Sequence, residues 1–162
     1  MSDNLNHECG IALLSLKKPP EYYLDKYGAP FYGLNKLYLL MEKQHNRGQD
    51  GAGLANIKLN IEPGNKYISR FRSAESQPIQ KVFSHINNQV NEACKEYADI
   101  TSNVELLKRR VPFTGELFLG HLRYGTFGKN GMEHCHPFLR QSNWMTRNLV
   151  LAGNFNMTNL DE

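Results

Sequence analysis

The chain has 162 residues, 40% of them hydrophobic and 22% charged, with a formal net charge of +3. That length suits one globular domain burying roughly 70% of its unfolded surface, and no apolar run approaches the ~20 residues of a membrane-spanning helix. The leader MSDNLNHE lacks the basic and apolar regions of a secretory signal, so a cytoplasmic protein without a membrane partner is expected.

In chain order, residues 9–16 (CGIALLSL) form a short apolar run that predicts a buried strand, ended by Pro19-Pro20. Leu34, Leu37, Tyr38 and Met41 share one face of a helix over 33–45. The RGQDGAG stretch at 47–53 is too glycine-rich for a helix interior. Two strand-like runs, 53–59 and 66–71, are joined by Glu62-Pro63-Gly64-Asn65 and read as a hairpin. Ile79, Val82, Phe83, Ile86, Val90, Ala93, Cys94 and Tyr97 fall at helical spacing, which predicts an amphipathic helix over 79–97 with Cys94 as a packed thiol. Ser102 is the expected cap of a second short helix reaching Arg110. Residues 117–124 and 149–154 read as strands, and 159–162 as the start of a further helix in a chain that looks truncated. The order β, α, ββ, α, β, β predicts an α/β or α+β layered domain.

The basic triplet Lys108-Arg109-Arg110 closes the second of these helices, where it complements the C-terminal dipole. Without interleaved aromatics it does not predict nucleic-acid binding. Three cysteines at wide spacing, Cys9, Cys94 and Cys135, argue against a disulfide framework. His134-Cys135-His136 has the residue types of a metal site. Adjacent residues converge poorly on one tetrahedral ion, however, and no C-x-x-C or H-x-x-x-H accompanies them, so no metal is expected. No phosphate-cradling glycine motif is present.

Cys9 is the residue with chemical promise. Alone, a cysteine at the head of an apolar strand is a small core residue. At a free N-terminus it would carry its own base, because an α-amine titrates at about 7.7–8.0 and a thiol at about 8.5. The amine would then accept the thiol proton without a histidine. This requires cleavage of the Glu8–Cys9 bond and removal of residues 1–8.

The blocks HECGIALL, QHNRGQDGAGLA, GHLRYGTFG, HPF and LAGNFNMTN, spread over residues 7–159, occur in this order. Taken together they resemble the class II glutamine amidotransferases, which are N-terminal-nucleophile hydrolases. RGQD and RYxT-x-G make the amidophosphoribosyltransferase branch the most similar. The resemblance implies an α+β fold, a four-layer αββα sandwich incomplete on its C-terminal side, with residues 9–162 as a partial glutaminase domain.

It also implies roles. Cys9 attacks the carboxamide of glutamine, and Arg123 holds the substrate α-carboxylate with Tyr124 and Thr126 lining the pocket. Asn154 and the backbone N–H of Phe155 stabilise the oxyanion. His136, followed by Pro137, lies near the glutamine site, and Arg47 and Asp50 brace the loop beside the nucleophile. An ordinary Arg47–Asp50 ion pair and a hydrogen-bonded structural role for His121 are the plainer readings of those residues. The partners implied are glutamine, a phosphoribosyltransferase portion of the same chain and further copies in a homo-oligomer. No cofactor is expected in this segment, with Mg²⁺ a candidate for the phosphoribosyltransferase portion. A catalytically weak regulatory or structural domain, or another class II amidotransferase, is the competing expectation.

The chain departs from the family pattern in three places. Gly153-Asn154-Phe155 stands where relatives read His-Asn-Gly, and a phenylalanine at a position needing positive φ would be strained. Asn46 is inserted into Gln-His-Arg-Gly. Residues 76–114 are longer and more helical than the flanking motifs need, and read as an elaborated surface helix.

Overall fold

The computed structural model describes residues 8–125 and 131–155. Its elements are β1 (Gly10–Ser15), α1 (Pro20–Tyr27), α2 (Tyr32–Lys43), β2 (Gly51–Ile57), β3 (Ile68–Ser73), α3 (Pro78–Glu96), α4 (Val104–Arg110), β4 (Leu117–Arg123), β5 (Phe138–Arg140) and β6 (Leu149–Leu151). The first four strands in the order β1-β4-β2-β3 make one antiparallel sheet, and β5 pairs with β6. The fold is mixed α+β. Among the described residues no helix is long and apolar enough to cross a membrane.

Strand alternation decides which side chains meet the helices. Ala12, Ala52, Leu54, Phe118 and Leu122 face Leu34, Leu37 and Met41 of α2 and Ile79, Val82, Phe83 and Ile86 of α3 in one buried core. The first half of α3 is therefore a wall of that core and not the surface elaboration expected of 76–114. Its apolar stripe does this because β2 and β3 leave a face that α2 alone is too narrow to cover. A second cluster of Ile100, Leu107 and Val111 sits under α4, with Cys94 packed against it as expected.

Several boundaries differ from the sequence reading. Beyond the strand end at Pro19-Pro20 lies a helix the sequence reading did not include: Pro20 opens α1, where its missing N–H costs nothing, and Gly28 closes it at φ 61°. Tyr23 and Tyr27 of α1 stack on Tyr32 at centroid distances of 4.6 and 5.0 Å. Asn103, not Ser102, caps α4 by accepting from Leu106 N at 2.9 Å. The Ser102 hydroxyl instead donates to Asp99 O. The 47–53 stretch is half strand, since β2 already begins at Gly51.

A buried charge lies at the far end of β2. Lys58 is 5% exposed, and burial, with Lys108 and Lys66 nearby, lowers its pKa to about 8. Lys108 pairs with Glu116, whose other oxygen accepts from Leu59 N at 2.7 Å.

Candidate active site

The sheet register gathers three of the sequence-predicted residues at one end. Gly10 pairs with Leu122 and Gly51 with Arg123, so Cys9, Arg123 and Asp50 leave neighbouring strands together. Cys9 is half-buried, its Sγ 4.0 Å from Tyr124 O. Asp50 clips the exit of β4: its N–H donates to Arg123 O at 3.1 Å and its Oδ2 accepts from Gly125 N at 2.8 Å. Arg47 stands exposed in a 3-10 turn, His45–Arg47, and no ion pair joins it to Asp50 among the described residues. Of the two expected loop braces, Asp50 holds the exit of β4 through its side chain, whereas among the described residues Arg47 bonds through its backbone N–H to Gln44 O at 2.8 Å.

Arg123 alternates onto the sheet face away from the helices, where residues 131–138 cover it. It is 7% exposed, and its Nη1 donates to His134 O at 2.8 Å. Among the described residues its buried Nε meets no hydrogen-bond partner. Because Nη1 is anchored, the Nε edge is held in one orientation, the edge a carboxylate meets side-on. Buried Cys135 lies beside it, with Sγ 3.8 Å from Ser73 O and from Gly131 O. Burial pushes that thiol pKa up, although Arg123 and Arg72 pull the other way, so Cys135 behaves as a packed thiol.

The side chains of 134–136 diverge. His134 Nε2 is 3.5 Å from the Glu133 carboxylate, Cys135 points into the sheet, and His136 turns to Gly153. Its Nδ1 accepts from Gly153 N at 3.2 Å, while His121 Nε2 lies 3.2 Å from Gly153 O. The imidazoles are 4.5 Å apart at centroids, and both are buried. Burial, the neighbouring His136 and Arg123 hold His121 down to about 4, outweighing the bond to Gly153. Burial also lowers the His136 pKa, with Arg123 and Arg72 adding to the effect. His121 is thus hydrogen-bonded as the plainer reading expected. Gly53 is essential to this layer: a Cβ there would fall on the His136 carbonyl.

Asn154 and Phe155 are exposed at the turn after Gly153. Phe155 does not adopt the positive φ feared for it, the described non-glycine residues that do being Asn60, Gln77 and Phe113. Its ring lies 5.1 Å from that of His136. Thr126 and residues 1–7 of the leader lie outside the described residues. Three contacts escaped the sequence reading: Asp50 to Gly125, Arg123 to the His134 carbonyl, and the two histidines on Gly153. The first two are side-chain bonds to backbone, for which residue type gives no signal. The last was open to inference only as two histidines flanking one strand end.

Compared with family models, curated proteins and solved structures, the chain gives no match.

Proposed function

We propose that the chain is the glutaminase portion of a class II glutamine amidotransferase of the amidophosphoribosyltransferase type, working in the cytoplasm as part of a homo-oligomer. In this reading the described layers belong to a four-layer αββα sandwich. The observation that carries it is the shared sheet end: the half-buried Cys9 thiol leaves β1 beside Arg123, whose guanidinium is anchored through Nη1 and whose buried Nε is unpartnered among the described residues.

Once residues 1–8 are removed, the α-amine of Cys9 accepts the thiol proton. The sulfur attacks the carboxamide carbon of glutamine, whose α-carboxylate lies on the Nε edge of Arg123. The tetrahedral oxyanion accepts from Asn154 Nδ2 and Phe155 N–H, donors each worth about 10²–10³ in rate in comparable sites. Collapse breaks the C–N bond, the amine returns its proton to the departing ammonia, and a thioester remains. Water then adds to the thioester carbon, releasing glutamate and restoring the thiol. Ammonia passes to 5-phosphoribosyl 1-diphosphate, giving phosphoribosylamine and diphosphate.

A second reading, a weak or inactive regulatory module, draws on the exposed Asn154 and on Phe155 leaning toward His136. The test is glutamate release by the full-length protein beside Cys9→Ala, with intact mass. The proposal expects a mature chain beginning at Cys9 and a loss on the order of 10³-fold or more in the variant. Retention of residues 1–8, or equal activity in Cys9→Ala, would overturn it.

A further inference from the structure

We propose that His121 and His136 are positioning residues that grip the Gly153 peptide from its two sides and so set the Asn154–Phe155 turn against the nucleophile. The inference rests on the glutaminase reading of that turn, but the grip itself is a matter of geometry. His121 reaches the Gly153 carbonyl and His136 receives the Gly153 N–H, each at 3.2 Å. One peptide unit after another is fixed through the same residue, immediately before Asn154.

The tautomers follow. Gly153 N–H is a donor, so His136 Nδ1 must offer a lone pair and carry its proton on Nε2. Gly153 O is an acceptor, so His121 carries its proton on Nε2, and its buried Nδ1 has no partner among the described residues. A second proton on His136 would set donor against donor. Burial is the main cause that disfavours a second proton on either ring; the cation Arg123 on β4 adds to it at both, and Arg72 on β3 adds to it at His136. The rings are themselves fixed: His121 is cross-strand from Gly53, His136 packs on Phe138 at 4.3 Å, and its carbonyl fills the space above Gly53.

The resemblance gives His136 a place near the glutamine site. Here it is 5% exposed and occupied with Gly153. A substrate contact and a positioning role predict different kinetics. Loss of a group that binds glutamine equally in ground and transition states raises KM, whereas misplacing an oxyanion donor lowers kcat.

The experiment uses the full-length protein with His136→Ala, His136→Asn and His121→Gln. Asn Oδ1 replaces the Nδ1 acceptor, and Gln Nε2 replaces the Nε2 donor. Glutaminase kinetics should show kcat falling about 10- to 100-fold in His136→Ala with KM for glutamine within about twofold. Both amide-bearing variants should recover to within about fivefold of wild type. A KM effect with unchanged kcat would overturn the positioning role. Amide hydrogen exchange supplies a readout independent of activity. Protection at Gly153 should drop at least about tenfold in His136→Ala while Leu54 and Leu122 keep theirs, and His136→Asn should restore it. Unchanged Gly153 protection would refute the grip even in an active enzyme. A wild-type protein with protected Gly153 and no glutaminase would refute the proposed function alone.

Discussion

His121 is buried, hydrogen-bonded and neutral, and that combination makes acid stability a quantitative test of the site's packing. The perturbation is His121→Gln, which keeps a donor for Gly153 O but cannot titrate. In the folded chain the imidazole titrates at about 4, against 6.5 when free. A depressed histidine pKa means the unfolded chain takes up the proton first. Its contribution is fully present above the unfolded value and is lost as pH falls toward the folded one. Linkage gives about 2 kcal/mol lost between about pH 7.5 and pH 5, and about 3 kcal/mol in the acid limit. Carboxylates titrate over part of the same range, so the readout is the difference between two curves. Urea unfolding free energies at several pH values should show wild type losing about 2 kcal/mol more than His121→Gln over that interval. An offset constant with pH is allowed, since glutamine packs differently. Parallel curves would refute the reasoning, because a histidine that cost nothing to protonate could not be sealed beneath Gly153.

Two further substitutions probe the other ends of the argument. Arg123→Lys keeps the charge but loses the planar side-on edge and the Nη1 anchor to His134 O. Loss of charge-assisted bonds of about 1.5–3 kcal/mol should raise KM for glutamine roughly 10- to 100-fold in steady-state kinetics. Lys58→Met should stabilise the protein by up to about 3 kcal/mol below pH 8, because the buried ammonium titrates at about 8 against 10.5 when free. Chemical denaturation should show that gain shrinking as pH rises from 8 toward 10.5, as the wild-type lysine gives up its proton.

What the sequence made legible follows from periodicity. The helix over 33–45 and the stripe from Ile79 to Tyr97 were readable because burial against a sheet imposes a spacing. The hairpin was readable because Glu62-Pro63-Gly64-Asn65 interrupts it. α1 was not, because its burial is slight, with Pro20 its buried residue, and its order comes from tyrosine stacking that has no helical signature. β5 and β6 have three residues each, too few for alternation to register. At the site, Cys9, Arg123 and Asp50 converge because antiparallel register aligns three strand ends. The motifs carried that alignment in their order along the chain. The burial of Arg123 and His136 could not be foreseen, since it depends on residues 131–138 folding back across the sheet.

The turn at 153–155 is where the chain departs most from the motifs it resembles, and the packing couples the two changed positions, Gly153 and Phe155. Glycine after Asn154 would be favoured if that position needed positive φ. Phe155 is not among the described residues with positive φ, so the substitution Phe155→Gly gains no relief from strain. What it loses is the ring beside His136 and over the Gly153 Cα, about 40% exposed. Full burial of phenylalanine is worth about 1.5–3 kcal/mol, so the partly buried ring contributes about 1–2 kcal/mol, and the added glycine loosens the donor N–H further. Phe155→Gly should therefore lower glutaminase kcat, not raise it. Gly153→His, the residue of the motif it resembles, places a Cβ where the Phe155 ring now lies and should be costly alone. Combined with Phe155→Gly it loses that obstacle, so the double variant should be more stable than the sum of the single effects by about 1 kcal/mol or more. Additive unfolding free energies across this cycle would mean that the ring and the glycine do not share the space, and the account of the turn would fail with them.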